Sequence, residues 1–154
     1  MRSVKPKRRK APTVAKLKKQ AWKLLSELVR RSNSKEGGYA TCYTCGAMKH
    51  WTELHAGHGI GGRTGSVLLD EDLIKPQCPG CNIFRGGQYG IFATKLIREK
   101  AELAASRGAT TGVALGIGMD WWEAKLSASR QVRKWNRSEL EAKIEEYKAR
   151  LSRL

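Results

Sequence analysis

Four cysteines give this 154-residue chain its clearest chemical signal. They form two Cys-x-x-Cys pairs, Cys42 with Cys45 and Cys78 with Cys81, and the chain contains no other cysteine. Two such pairs supply the four thiolates of a tetrahedral zinc site, and zinc held by four sulfurs keeps no open position for a substrate. Disulfides and a dithiol redox centre are the alternatives, which the paired spacing disfavours in a reducing compartment. The sequence therefore predicts a structural zinc site, so catalysis would need another centre.

Two histidines and an asparagine could form that second centre. His55 and His58 lie between the cysteine pairs in the run His-Ala-Gly-His, and Asn82 directly follows the last cysteine. A histidine can remove a proton from water near neutral pH, and an amide oxygen suits a hard cation such as Mg²⁺ or Mn²⁺. Together they would suit metal-assisted hydrolysis of a phosphodiester bond. The alternative is a structural role for the histidines, which is the role expected of His50.

Basic residues are concentrated near the start of a chain whose net charge is +16. Residues 1–35 contain 13 of the 30 lysines and arginines and a single acidic residue. Such a segment binds nucleic acid through phosphate contacts that weaken with salt, although a solubilising tail is the alternative. A disordered arm is expected over residues 1–12, and its residues expected to contact nucleic acid are Lys7, Arg8, Arg9 and Lys10. A basic helix is expected over residues 13–36, and its residues expected to contact nucleic acid are Lys16, Lys19 and Lys23.

The spacing of apolar residues predicts further helices. The basic helix is amphipathic, begins at a plausible N-cap, Thr13, and is expected to place Trp22 in the core. A second helix is expected from Tyr89 to Leu103. Residues 108–120 are expected to form a glycine-rich linker, and residues 121–154 a C-terminal helical region.

The C-terminal region carries two local signals. Ser138 and Glu141 predict a capping box at the start of the last helix. One stripe of that helix would pack on the core or form a two-fold interface, and it comprises Leu140, Ile144, Tyr147 and Leu151. Farther upstream, the acidic run Asp70–Asp72 is expected to be a solvated turn.

The order of these motifs resembles a family of phage proteins. Cys-x-x-Cys, His-Ala-Gly-His and Pro-Gln-Cys-x-x-Cys-Asn, preceded by a basic helix, resemble the phage NinG recombination proteins over about Thr13 to Leu103. The same motifs resemble, more distantly, recombination endonuclease VII and the HNH, or ββα-metal, nucleases. The resemblance implies that His58 is the general base and that Asn82 binds the catalytic metal. It also implies branched DNA, such as a Holliday junction, as the substrate.

The chain departs from the wider nuclease pattern at two positions. Gly57 stands where relatives often place an aspartate ligand, and Leu73 stands where they place an asparagine that orients the base. His55 could supply the missing ligand, or it could be a supporting or phosphate-binding group. Arg85, one helical turn beyond Asn82, is expected to contact a flanking phosphate rather than the reacting one.

These signals predict a helix-rich α+β protein with a small, treble-clef-like zinc core over residues 37–107. The expected function is a metal-dependent endonuclease for branched DNA, with structural Zn²⁺ and catalytic Mg²⁺ or Mn²⁺. A second copy of the chain and other phage recombination proteins are candidate partners. A non-catalytic, zinc-stabilised DNA-binding accessory protein is the main alternative, and an RNA-binding zinc protein is a weaker one. With no membrane-spanning run and no secretory signal, a cytoplasmic protein is expected, in the host cytoplasm if a phage encodes it.

Overall fold

The computed structural model describes residues 11–61 and 65–154, so Lys7, Arg8, Arg9 and Lys10 of the expected basic arm lie outside the described residues. Within this part, helices predominate and the strands form two antiparallel pairs. The elements are α1 Val14–Ser32, β1 Tyr39–Thr41, β2 Met48–His50, β3 His55–His58, β4 Ile74–Gln77, α2 Tyr89–Ser106, α3 Thr111–Ser129 and α4 Arg137–Leu151. The helix-rich α+β expectation is confirmed. No helix among the described residues is long and apolar enough to cross a membrane.

Helix α1 begins as its sequence predicts and packs against α4. The Thr13 hydroxyl accepts a hydrogen bond from the Lys16 amide at 3.3 Å, which caps the first turn. Buried side chains spaced three and four residues apart on α1 meet the apolar stripe of α4 in one cluster, which includes Leu17, Ala21, Leu25, Leu28, Leu140, Ile144 and Tyr147. The α4 stripe therefore packs on the core of the chain.

The capping box of α4 lies two residues earlier than expected. The Asn136 side chain accepts a hydrogen bond from the Glu139 amide at 2.9 Å, and the Glu139 carboxylate accepts one from the Asn136 amide at 3.0 Å. Ser138 instead donates its hydroxyl hydrogen to the Asn136 side chain at 2.8 Å. Ser138 lies inside the helix because Asn136, an equally good cap, precedes it.

The prediction of a linker over residues 108–120 is wrong for most of its length, because α3 begins at Thr111. Gly118 allows this glycine-rich helix to pack against α2. A Cβ atom at Gly118 would lie 2.5 Å from the backbone oxygen of Ile97, so the glycine allows α3 to approach α2 closely. Tertiary packing therefore stabilises a segment with no apolar period of its own.

The acidic run Asp70–Asp72, here called the acidic hub, is a turn in which every carboxylate forms an ion pair, although Asp72 stays exposed to solvent. Asp70 accepts hydrogen bonds from Lys125 of α3 at 2.7 and 2.9 Å. Glu71 pairs with both terminal nitrogens of Arg150 on α4 at 2.8 Å, and Asp72 pairs with Lys100 of α2 and with Lys125 at 3.1 Å. The turn that leads into β4 is thus tied to three helices.

Candidate metal centre and histidine cleft

The four cysteine sulfurs converge on one point. Their Sγ atoms all lie within 4.8 Å of one another, and the sulfurs of Cys45 and Cys78 are 3.8 Å apart. Zinc–sulfur bonds of 2.3 Å in a tetrahedron place the sulfurs about 3.8 Å apart. The cluster therefore fits the zinc site that the cysteine spacing predicts.

Two tight turns bring the cysteines together. The first turn joins β1 to β2, where the Cys42 amide donates to the Ala47 oxygen at 2.8 Å and Gly46 adopts a φ of 78°. The second turn follows β4, where the Cys81 and Asn82 amides donate to the Cys78 oxygen at 3.0 and 2.9 Å. A π-helical turn over Gly80–Phe84 continues from there, so the last zinc ligand and Asn82 share one rigid turn.

Hydrogen bonding and burial affect these thiols differently. Burial opposes ionisation of Cys42, but the backbone amides of Cys45 and Cys78 and the Thr44 hydroxyl outweigh it and lower the pKa to about 6. The Cys78 amide, for example, lies 3.2 Å from the Cys42 sulfur. Burial raises the pKa of Cys78 to about 12. A bound cation would supply the charge that Cys78 needs to become a thiolate.

His55 and Asn82 meet beside this cluster. The Asn82 Nδ2 atom lies 3.0 Å from His55 Nδ1, and both side chains are half-buried. His55 begins β3, and Asn82 sits in the turn that carries the last zinc ligand. The structure thus brings together two of the three residues expected to form the second centre.

His58 lies on the other face of β3. Side chains alternate along a strand, so His58 shares a face with Ala56, which packs in the α1–α4 cluster. The His58 ring stacks on Trp22 of α1 with centroids 4.7 Å apart and planes 24° apart. Its Nε2 atom lies 3.3 Å from the Leu68 oxygen. His58 is only 8% exposed, because the Trp22 ring covers it. Trp22 also packs against the core cluster, as the sequence predicts.

A cleft of about 350 Å³ separates α1 from this part of β3. Its walls are formed by Trp22, Ser26 and Arg30 of α1 and by Leu54, His55, Ala56 and Asn82. Trp22, Ser26 and Arg30 also border a larger hollow that is lined by Lys16, Lys19 and Lys23. The basic face of α1 is therefore continuous with the cleft that His55 and Asn82 line.

Arg30 joins α1 to the opposite wall of the cleft. Its guanidinium donates to the backbone oxygens of Trp51 and Leu54 at 3.4 and 3.2 Å and lies over the Trp51 ring. Burial lowers its pKa, against the opposing effect of Glu27. These contacts tie the end of α1 to the turn before β3. Arg85, by contrast, has an exposed side chain at the end of the Gly80–Phe84 turn.

The structure explains why residue 57 is a glycine. A Cβ atom at Gly57 would overlap the Oε1 atom of Gln77, a residue that is fully buried. Gln77 is fixed because its amide donates to the Gly87 oxygen at 2.7 Å and to the Thr44 hydroxyl at 3.2 Å. An aspartate at position 57 has no room here. Leu73 is fully buried, and the Leu68 carbonyl contacts His58 instead of a side chain at position 73.

Sequence reasoning did not assign Trp22, Arg30 or Gln77 to the site. A helical tryptophan within a basic face was the available signal for Trp22, whereas the contacts of Arg30 and Gln77 join segments far apart in the chain.

No protein-family model matches this chain, and no match was found among curated proteins or solved structures.

Proposed function

We propose that this chain is a divalent-metal-dependent DNA endonuclease. The observation that carries the proposal is the 3.0 Å contact between His55 and Asn82 in a cleft continuous with a lysine-rich helix face. The order β3, β4, metal-binding turn and α2 is also that of the ββα-metal unit that the sequence resembles. The preference for branched DNA rests on the resemblance to the NinG proteins and endonuclease VII.

His55 and Asn82 are the proposed ligands of the catalytic Mg²⁺ or Mn²⁺. Neighbouring ligands of an octahedral ion at 2.1 Å lie about 3.0 Å apart, which is the separation of these two side chains. The oxygen and nitrogen of an asparagine amide exchange places when the amide turns over, so Oδ1 can take the Nδ2 position. The bound ion would stabilise negative charge on the phosphate that is cleaved.

His58 is the proposed general base. When Nε2 donates its hydrogen to the Leu68 carbonyl, the basic nitrogen of the neutral ring is Nδ1. In the proposed mechanism, the His58 ring takes a proton from the attacking water. The stack on Trp22 and the bond to Leu68 together hold the ring in one orientation, which a general base requires.

The lysines of α1 are proposed to hold the phosphate backbone. Lys16, Lys19 and Lys23 line one surface, and the affinity that they provide is insensitive to sequence and falls with salt. Arg85 would contact a phosphate on the side of the turn that carries Asn82. Lys7, Arg8, Arg9 and Lys10, which lie outside the described residues, are proposed to add further phosphate contacts.

The test is cleavage of a labelled four-way DNA junction with and without Mg²⁺ or Mn²⁺. We expect metal-dependent cleavage by the wild type and a loss of about 10²- to 10⁴-fold in His58→Ala and Asn82→Ala. His50→Ala is the matched control, because His50 caps the turn after β2 and does not line the cleft. Thermal unfolding of each variant separates a loss of chemistry from a loss of folding.

The competing proposal is a zinc-stabilised DNA-binding accessory protein without nuclease activity. The burial of His58 under Trp22 favours it, since a general base must reach water. Tight junction binding with no cleavage in either metal would support this alternative. Competition by structured RNA as strong as that by the junction would instead indicate an RNA-binding protein.

A further inference from the structure

Two large apolar side chains project into solvent beside the candidate metal ligand. Phe84 is 83% exposed and Ile83 is 59% exposed, whereas the other phenylalanine of the chain, Phe92, is fully buried. Both residues lie in the Gly80–Phe84 turn, directly after Asn82. An exposed phenylalanine gains nothing from folding, so its exposure next to a charged cleft points to contact with a ligand.

The turn holds these side chains in place. Cys81 anchors its buried side within the cysteine cluster, and the Arg85 amide closes it by donating to the Gly80 oxygen at 3.0 Å. Gly86 follows with a φ of 60°, which turns the chain back towards the core. The apolar pair is therefore carried on a short, hydrogen-bonded turn and not on an extended loop.

We propose that Ile83 and Phe84 form an apolar wedge that enters the base stack of DNA next to the cleaved phosphate. The inference rests on the proposed function, because it takes the phosphate to lie at His55 and Asn82. Phe84 is two residues from Asn82 in the same turn, which would bring its ring near a nucleotide adjoining that phosphate. The basic face of α1 across the cleft and Arg85 beside the pair complement the charge of a nucleic acid.

Such a wedge gives a physical basis for selecting branched DNA. Inserting phenylalanine or isoleucine between stacked bases has an unstacking cost, which falls where the stack is already interrupted. A branch point offers an interrupted stack, and a continuous duplex does not. Phosphate contacts by lysine are alike in both substrates, so the difference in affinity is expected to come from the wedge.

The test measures binding of the full-length protein to a four-way DNA junction and to a duplex of the same length. It is carried out without added Mg²⁺ or Mn²⁺, on protein that retains its zinc, so that no cleavage is required. The junction carries 2-aminopurine at the branch point, whose fluorescence rises when the base is unstacked. The variants are Phe84→Ala, Phe84→Trp and Val132→Ala. Val132 is 89% exposed and lies between α3 and α4, which makes it a control for loss of an exposed apolar side chain.

We expect Phe84→Ala to reduce the preference for the junction over the duplex about tenfold, as the loss of one base-stacking contact predicts. The rise in fluorescence should disappear in Phe84→Ala and persist in Phe84→Trp and Val132→Ala. An unchanged preference, or an equal loss of affinity for both DNAs, would overturn the proposal. A change in sedimentation without a change in DNA binding would also overturn it, since Phe84 would then contact a second copy of the chain.

Together with the cleavage assay, these measurements keep the two proposals separate. A wild-type protein that cuts DNA but whose junction preference is independent of Phe84 retains the nuclease function and loses the wedge. A protein that never cuts, but that unstacks the branch point through Phe84, retains the wedge and loses the nuclease function.

Discussion

The cysteine cluster and the histidine cleft share one turn of the chain but differ in how complete they are. Cys81 contributes the fourth sulfur of a closed set, whereas the side chain of the next residue, Asn82, contacts His55 in the wall of an open cleft. A closed set of four thiolates stabilises structure, because it has no position for a substrate. A partial set beside a basic surface can accept an ion together with a phosphate. Adjacent residues can thus serve stability and chemistry separately.

Removing a zinc ligand should have the largest effect on folding. Binding of zinc to four thiolates contributes on the order of 10 kcal/mol, and most of that is folding free energy in a small domain. Cys78→Ser is therefore expected to release the metal and abolish cooperative thermal unfolding. Circular dichroism and the zinc content per chain provide the measurement.

Asn82→Ala is the matched control for that experiment, because Asn82 lies in the same turn as Cys78. The variant should keep both the zinc content and the melting temperature of the wild type while losing cleavage. If Cys78→Ser melts like the wild type, the cysteine cluster does not brace this fold.

Substitutions at position 57 should show whether this position lacks room for a side chain or merely lacks a metal ligand. Gly57→Ala places a methyl group against Gln77 and is expected to destabilise the fold by about 1–3 kcal/mol. Gly116→Ala on α3 is the matched control. Its Cβ meets open space, so it should stabilise the helix by about 0.5–1 kcal/mol. Urea unfolding measures both changes.

Gly57→Asp extends the test to the cleft. We expect a larger loss of stability than in Gly57→Ala and no gain in Mn²⁺ affinity, measured by calorimetry. Tighter Mn²⁺ binding at unchanged stability would mean that the cleft accepts the aspartate that relatives often have.

Replacing Trp22 should affect the chemical step more than DNA binding. An aromatic stack of this kind contributes about 0.5–1.5 kcal/mol, so Trp22→Ala is expected to slow single-turnover cleavage about 3- to 10-fold. Trp22→Phe keeps an aromatic ring over His58 and should restore most of the rate. Equal rates for the two variants would show that the stack does not position His58.

The ion pairs of the acidic hub should have the smallest effect. Burial raises the pKa of Asp72, but hydrogen bonds from Lys100 and Lys125 outweigh this and lower it. A carboxylate with a lowered pKa in the folded state stabilises the protein above its unfolded pKa, and this contribution is lost as the pH falls. Lys125→Ala should therefore cost less than about 1 kcal/mol at pH 7, because Asp72 is partly exposed to solvent.

The difference between Lys125→Ala and the wild type should shrink below about pH 4, where carboxylates become protonated. Lys148→Ala, which removes an exposed pair with Glu145, is the control and should change little at either pH. A constant difference from pH 7 to pH 3 would contradict an electrostatic origin. Neither variant should change cleavage, because Lys125 and Lys148 pair with acidic side chains and not with His55, His58 or Asn82.

Local patterns predicted the parts of the fold that depend on neighbouring residues. The three- and four-residue spacing in α1 placed Leu17, Ala21 and Leu25 on one buried face, and Thr13 capped the helix as expected. The capping box of α4 was displaced by two residues because two acceptable caps lie close together. Helix α3 was missed because Gly118 contributes by letting α2 approach, and no periodic pattern records that contact.

The sequence by itself identified the four cysteines that lie within metal-binding distance of one another, since Cys-x-x-Cys spacing is a local property of a tight turn. It also singled out His55, His58 and Asn82 as residues able to do chemistry. Only the tertiary structure decided that His55 meets Asn82, that His58 lies against Trp22, and that Gln77 occupies the space beside Gly57. These contacts join segments 20 or more residues apart, and their geometry depends on how α1, β3 and the zinc turn pack together.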